Sequence, residues 1–314
     1  MPDLPLPVPD AEPKLGENGE MTRSSFPAGL YVAATPLGHL ADITVRVREG
    51  LAQCDLLFAE DTRRAQQLLT ALSISRSKST IAALHDHNED EASLRVLAAL
   101  AAGQSVMLIS DAGTPAVSDP GFRVVDAAWR HGHKVIPLPG ASALTAAVSV
   151  SGFARWPMSF WGFIPSKSSS RRDWLAQVQR HRGVAVVFEA PHRAAESLTD
   201  CAEVFGPETP MLFAREMTKQ HETLFRGTIA QVQQSIETQQ QADPGAAKGE
   251  MVWVFDLGDR PETAVDDEQL TAWAMTLAQE MPAAAAARCL VKMLGVARER
   301  AYAAVLAARE TRDE

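Results

Sequence analysis

The segment SDAGTPAVSDPG, residues 110–121, packs Asp111, Gly113, Thr114, Ser118, Asp119 and Gly121 into one short stretch. Glycine permits positive φ, and Asp or Ser side chains bond turn amides. Two prolines and two glycines beside two aspartates exceed what a plain turn needs, so the stretch is a candidate ligand loop. A second, ATPLGHLAD at 34–42, uses Pro36 and Gly38 for a tight turn that lets a ligand approach the backbone. It is no dinucleotide fingerprint, because G-x-G-x-x-G is absent, and no P-loop, because no G-K-[ST] follows. A third, PLPGASA at 137–143, runs into a helix whose first amides are open to Ser142 or to a ligand. FEAPHR (188–193) and AREMTKQHE (214–222) add Glu189, His192, Arg193, Arg215, Glu216, Lys219 and His221. A plain turn, a helix cap or a solvated charge run explains each stretch alone. Their recurrence after successive strands argues for shared sites. None of the eight histidines has the spacing of a metal site, so no metal is expected.

The elements that must position these residues follow from apolar periodicity. Short apolar runs predict strands at Leu30–Ala34, Leu56–Ala59, Ile81–Leu84, Val106–Ser110 and Val135–Leu138. Amphipathic stretches predict helices at Ile43–Gln53, Arg63–Leu72, Glu91–Ala102, Phe122–His131 and Ser142–Ser151. Such alternation implies a largely parallel sheet covered on both faces. A second α/β unit has expected strands at Ser159–Phe163, Val184–Phe188, Met211–Arg215, Leu224–Gly227 and Met251–Leu257. Its expected helices are Arg171–Arg180, Ala194–Phe205 and Ile229–Thr238, followed by a polar loop at Gln239–Lys248. Glu268–Gln279, Ala283–Leu294 and Arg298–Arg309 read as short helices, the last two joined by a tight turn at Gly295 in helix-turn-helix style. Such a pair either binds nucleic acid or packs in a dimer. The domains expected are a disordered tail at 1–28, α/β domains at 29–152 and 153–258, and a linker with a helical domain at 259–314.

The 314 residues are 46% hydrophobic and 22% charged, which excludes a mostly disordered chain. No run reaches the roughly 18 to 20 apolar residues of a membrane span, and no secretory signal is legible. Cys54, Cys201 and Cys289 are too far apart for a disulfide framework or zinc site, which suits a reducing cytoplasm. The net charge of -9 comes mostly from two acidic segments, 1–20 and 259–268, so the body is nearly neutral and an anionic partner is not excluded.

Taken together, ATPLGHLADIT, AEDTR (59–63), LHDHNE (84–89), SDAGTPAVSDPGF, PGASA, FEAPHR, the ARE-TK-HE-RGT series and KGE (248–250) make the chain from Leu30 to Leu257 resemble the tetrapyrrole methylase superfamily. The resemblance implies two α/β domains with an S-adenosylmethionine cleft between them, a homodimer, and a small C-terminal helical domain. The combination looks like the branch that methylates the 2′-oxygen of a cytidine in the decoding region of 16S ribosomal RNA, naked or within the 30S subunit. It departs at His39, where that branch usually has Asn, and at Ala141, where Pro is usual. By the same resemblance, Pro36, Asp111, Ala112, Gly113, Thr114, Val117, Ser118, Ser142 and Ala143 would hold the cofactor, with Glu189 and Met217 contributing from the second domain.

An activated methyl needs no metal, but a neutral 2′-hydroxyl is a poor nucleophile. Alignment supplies much of the rate, and a general base a further ~10² to 10⁴-fold. Candidate bases are Glu60, Asp61, His87, Glu189, Glu216 and Lys219, the last only with a lowered pKa. RNA needs basic surface. Residues 155–182 hold Arg155, Lys167, Arg171, Arg172, Arg180 and Arg182 against Asp173 alone. Arg63, Arg64, Asn88 and Arg193 would add contacts beside the cofactor loops. Aromatic side chains at Trp161 and Phe163 fit a strand core better than base stacking. A tetrapyrrole or protein side chain as substrate, or a non-catalytic adaptor, are the competing readings.

Overall fold

The computed structural model describes residues 26–85, 87–242, 248–259 and 267–313. The expected tail at 1–28 lies outside the described residues up to position 25. So do residues 260–266 of the acidic linker, Asp86, and 243–247 of the expected polar loop. The chain forms two compact units. The first takes the described residues through Val150 together with Ala214–Leu224 and Gly249–Val252; the second takes Ser151–Phe213, Phe225–Lys248 and Trp253 onward. The AREMTKQHE loop therefore packs with the first unit, which differs from the sequence reading.

In the first unit, β1 (Gly29–Ala33), β2 (Leu56–Ala59), β3 (Ile81–Ala83), β4 (Ser105–Ile109) and β5 (Val135–Leu138) alternate with α1 (Val45–Gln53), α2 (Thr62–Ala71), α3 (Glu89–Ala101), α4 (Phe122–Arg130) and α5 (Ala143–Ser151). The sheet order is β3-β2-β4-β1-β5, and every pairing is parallel. Successive strand residues face opposite ways. Tyr31, Leu57, Met107 and Ile109 pack against Val47, Leu51 and Leu69 of α1 and α2. Leu30, Phe58, Val106 and Leu108 pack against Val96, Leu100, Val124 and Ala128 of α3 and α4. Each such side chain contributes about 1.5–3 kcal/mol when fully buried, so both faces are cores.

Topology then marks the working edge. From β1 the chain passes through α1 to β2, beyond β4; from β4 it passes through α4 to β5, beyond β1. Neighbouring strands thus send their connections in opposite directions, which opens a crevice at their carboxyl ends. The 34–42 and 110–121 loops leave those two ends.

The second unit holds β6 (Met158–Phe163), α6 (Ser168–His181), β7 (Val184–Glu189), α7 (Ala194–Phe205) and α8 (Ile229–Ala242). Together with β8 (Pro210–Arg215), β9 (Thr223–Thr228) and β10 (Met251–Asp256), its strands order as β6-β7-β10-β8-β9, with β6 parallel to β7. Helix α8 continues past Thr238 because the glutamine-rich run is a good helix former. The start of the expected polar loop is therefore helical. Phe163 is 54% exposed, since β6 is an edge strand and Phe163 is its last residue. The expectation that it is core fails. Trp161 does pack, edge-on to Trp174 and His181. Helices α9 (Asp267–Glu280), α10 (Ala283–Leu294) and α11 (Arg298–Asp313) share their own core of Leu270, Ala274, Ala286, Leu290, Ala301 and Val305. Gly295 closes α10 in the left-handed region at φ 65, as the tight turn requires. Among the described residues no helix is long and apolar enough to cross a membrane.

Candidate active site

The three loops of the first unit are tied to one another. Thr35 N donates to Gly113 O at 2.8 Å and Gly113 N donates back to Thr35 O at 3.0 Å, a two-residue bridge between the first and second loops. Thr35 Oγ1 donates to Ser110 O at 3.2 Å, and Thr114 Oγ1 donates to Ala141 O at 3.1 Å, reaching the third loop. Pro36, Asp111, Ala112, Gly113, Thr114, Val117, Ser118, Ser142 and Ala143 are therefore gathered at one sheet edge. Ser142 O accepts from Ala146 N as α5 begins.

The second loop is held in an unfavourable shape. Ala116 and Ser118 carry φ of 64 and 63, and Gly113 and Gly121 are also positive. Non-glycine residues in this region cost of order 1–3 kcal/mol each and concentrate at functional sites. Glu89 closes the loop. Its buried carboxylate accepts Gly121 N at 2.9 Å and Arg123 N at 3.0 Å, capping α4 from a distance. The sequence reading missed Glu89, although LHDHNE contains it. Glu89→Ala is expected to cost about 1.5–3 kcal/mol, because two amides lose a charged acceptor. Urea unfolding would measure that loss, and hydrogen exchange should rise across 110–121. Unchanged exchange there would show that Glu89 does not hold the loop.

AEDTR meets the second loop directly. Asp111 N donates to Glu60 Oε2 at 3.3 Å, Asp61 N donates to Asp111 Oδ1 at 3.1 Å, and Arg64 pairs with Asp111 Oδ2 at 3.3 Å. Asp61 caps α2 through Arg63 N at 2.8 Å and grips the Arg63 guanidinium at 3.1 and 2.7 Å. Those Arg63 bonds hold the Asp61 carboxyl well below the usual carboxylate range. Thr35, Pro36, Asp61, Arg64, Ser110 and Asp111 line a small pocket there. Burial pushes the Asp111 carboxyl up, partly offset by Arg64.

The 214–222 loop is strained in the same way, with φ of 51 at Glu216 and 64 at Thr218 on either side of the buried Met217. Lys219 Nζ lies 2.9 Å from Glu216 Oε1 and 3.0 Å from Glu250 Oε2. Glu216 Oε1 also accepts Glu250 N at 2.8 Å. His39 N donates to Thr218 Oγ1 at 3.2 Å, tying this loop to the first. Burial would lower the Lys219 pKa, but Glu216 and Glu250 outweigh it and raise it. Lys219 is thus an ammonium at neutral pH, which removes it as a base. The Glu216 carboxyl is lowered: burial opposes this, but the Glu250 amide and Lys219 prevail. His87 stands exposed on the turn before α3, its ring edge-on to His85. Glu250 was legible only as part of KGE.

The family model for tetrapyrrole (corrin/porphyrin) methylases matches residues 29–233. The chain belongs to the tetrapyrrole methylase family. A ribosomal RNA small subunit methyltransferase I from Xylella fastidiosa is 40% identical over 278 residues, 88% of this chain and 99% of that protein. One of the same name from Haemophilus influenzae is 38% identical over 276 residues, 87% of this chain and 94% of that protein. Within the tetrapyrrole methylases the chain groups with these. Diphthine synthase superposes with a TM-score of 0.55 at 16% identity, over 72% of this chain and 88% of that one. The methyltransferase CobJ does so with 0.53 at 19%, over 73% and 93%. Both show the fold that a tetrapyrrole methylase shares.

The basic residues of this methylase are placed less simply. Arg171 is fully buried against Asp200 and Glu196, so it is not available to phosphate, contrary to expectation. Arg172 pairs with Asp200 at 2.8 Å and Glu203 at 3.1 Å. Arg155 pairs with Asp256 at 2.9 Å and with Asp259. Much of the positive charge of 155–182 is therefore neutralised inside the second unit. Arg193 is bound to Glu189 Oε1 at 2.6 Å, and that buried carboxylate also accepts Ala190 N. Asn88 holds its own turn, accepting His85 N at 2.8 Å and donating to Ala83 O at 3.1 Å. Lys167 is exposed ahead of α6. Arg63 and Arg64 stay largely exposed despite their partners.

Proposed function

We propose that this methylase transfers a methyl group from S-adenosylmethionine to the ribose 2′-oxygen of a cytidine in the decoding region of 16S ribosomal RNA. The observation that carries the reading is the near full-length match to relatives named ribosomal RNA small subunit methyltransferase I. The first unit suits the donor. Its sulfonium and ammonium charges call for carboxylates, and Glu60 and Asp111 meet at the ends of β2 and β4, where the Asp111 amide donates to the Glu60 carboxylate. Gly113 at φ 77 keeps the backbone bare between Leu37 and Ala141. Pro36, Asp111–Thr114, Val117, Ser118, Ser142, Ala143 and Met217 are the residues we assign to it. When bound, it supplies a methyl on a positively charged leaving group.

The chain's own part is alignment. A 2′-oxygen held in line with the methyl gains most of its rate from position. Arg63, Arg64 and Lys167 are the exposed cations we assign to RNA phosphates. Phe163, 54% exposed, and Trp156, 76% exposed, offer faces for an unstacked base. A pair of copies is part of the reading: α5 is an apolar helix in which only Ala147 and Ser151 are buried. Action on ribosomal RNA puts the protein in the cytoplasm.

The test is transfer of labelled methyl from S-adenosylmethionine to small subunits from a strain lacking the protein. Label on a ribose 2′-oxygen of a decoding-region cytidine is expected. Donor binding without label in RNA would move the substrate to a small molecule or a protein.

A further inference from the structure

The proposed reaction must select one ribose from a long chain of identical ones. Every nucleotide of an RNA carries the same 2′-hydroxyl beside a phosphate, so the choice has to come from contacts to bases. Arg63 and Arg64, beside the tied loops, suit phosphates and read no sequence. A second cavity of the first unit, at the other end of its sheet, has the chemistry for that choice.

Strand alternation turns Leu56, Phe58 and Ala82 toward the face that α3 covers. Phe58 lies opposite Ala82 in the register of β2 and β3. Alanines at 82, 98 and 99 fill little of the space between sheet and helix, and a cavity of about 340 Å³ is left there. That volume falls within the roughly 300–1,000 Å³ of ligand pockets. The floor is apolar, and Arg95, Gln104, Ser79 and Thr80 supply the polar groups. Leu56 begins β2, and Thr80 and Gln104 directly precede β3 and β4. The cavity is therefore at the amino-terminal ends of the strands, opposite the 34–42 and 110–121 loops.

Arg95 determines what the cavity takes. Its guanidinium carbon lies over the Phe58 ring, 5.6 Å from the centroid. Phe58 itself is buried, so the stacking face on offer is the guanidinium and not the ring. Arg95 is exposed, and among the described residues no carboxylate pairs with it. Arg63, Arg64, Arg123 and Arg130 of the same unit all have such a partner. A guanidinium placed in this way can stack on a planar ring and still donate to a phosphate. The Gln104 side-chain amide, unpartnered among the described residues, can donate to and accept from the edge of that ring. Lys78 adds a second exposed cation beside Ser79.

We propose that this cavity holds an unpaired base of the substrate RNA, stacked on Arg95 with its edge on Gln104 and its phosphate toward Arg95 and Lys78. This rests on the ribosomal RNA reading above. The base is a neighbour of the methylated nucleotide, and holding it sets which ribose reaches the donor. The four residues of β2 separate the cavity from Glu60, about 13 Å at ~3.3 Å per residue. A few nucleotides cover that span. No bond is made or broken in the cavity, so Arg95 and Gln104 act on selection alone. A free nucleotide presents the same ring and phosphate, and the experiment separates the two sources.

The experiment measures Kd for small subunits from a strain lacking the protein, for adenosine monophosphate and for S-adenosylmethionine. It compares wild type with Arg95→Ala, Arg95→Lys, Ala98→Leu and Lys134→Ala. Arg95→Ala and Ala98→Leu should each weaken subunit binding about 5- to 100-fold, the value of one stacked base, with S-adenosylmethionine binding unchanged. Ala98 is exposed on α3 and leucine is a good helix former, so that variant fills the cavity without unfolding the chain. Arg95→Lys should not restore binding, because it keeps the charge and loses the plane. Lys134→Ala removes an exposed cation just before β5, at the far edge of the same sheet, and should change nothing. Full binding in Arg95→Lys, or equal losses in Arg95→Ala and Lys134→Ala, would reduce the effect to diffuse charge and overturn the proposal. Adenosine monophosphate binding that Ala98→Leu abolishes, with subunit binding intact, would make this a free-nucleotide site and overturn the RNA occupant. Wild type that labels RNA while every variant binds like it defeats the cavity alone. Wild type that neither binds nor labels the subunits defeats the ribosomal RNA reading, and the proposal with it, before any variant is compared.

Discussion

Replacing Arg171 by alanine is expected to cost about 3–5 kcal/mol of unfolding free energy and to leave RNA affinity per folded molecule unchanged. Its guanidinium is wholly buried between α6 and α7, 2.5 Å from Asp200 and 2.9 Å from Glu196, and it donates to Ser166 O at 3.3 Å. Asp200 is 3% exposed, so removing Arg171 strips a buried carboxylate of its closest partner. Burial pushes the Asp200 carboxyl up, but bonds from Arg172, Arg171 and Ser168 outweigh this and hold it low. A lowered folded-state pKa contributes stability above the unfolded value of about 3.9, and that stability is lost as pH falls through the folded value. The gap between wild type and variant should therefore narrow below about pH 4. Arg172→Ala should cost no more than about 1 kcal/mol, because that side chain is half exposed and Asp200 keeps Arg171. Urea unfolding at pH 7 and pH 4, with RNA titration of the folded protein, checks all of this. An RNA affinity that drops while stability holds would return Arg171 to the substrate surface.

Gly249→Ala is expected to lower kcat/KM by about 10²-fold through displacement of Glu216. Gly249 sits at φ 104, and a Cβ there would lie 2.4 Å from Glu216 Cγ and 2.7 Å from Oε1. Glu216 cannot swing aside cheaply, because its carboxylate holds both Lys219 and the Glu250 amide. Gly258→Ala serves as the control: φ is 77 there, but nothing lies within 4 Å of the added carbon. It should cost about 1 kcal/mol of backbone strain and no activity. Initial rates beside donor Kd for both variants decide the matter. Equal activity would mean that the Glu216–Lys219–Glu250 cluster serves stability alone.

The order of strands and helices was legible because each carries its own periodicity. β5 at Val135–Leu138 and α10 at Ala283–Leu294 have the bounds their residues predict. The three tied loops were also legible, since a parallel sheet puts every βα turn at the same edge. What lay beyond local pattern was side-chain pairing across helices. Arg171 and Arg172 read as free cations, yet their partners Glu196, Asp200 and Glu203 stand on the next helix. The same limit hid Glu89, whose bond partners begin at Gly121.

The division of the chain has a consequence for its synthesis. Ala214–Leu224 and Gly249–Val252 belong to the first compact unit, although the second unit begins at Ser151. On the ribosome the parallel sheet has emerged once β5 is out, yet its unit lacks its last pieces until Val252 clears the exit tunnel. Folding one domain after another during translation is closed to such a chain. The 34–42 loop waits for Thr218, whose hydroxyl takes the His39 amide, through the making of much of the other unit. A fragment ending at Val150 would be a sheet without the loop that completes its edge.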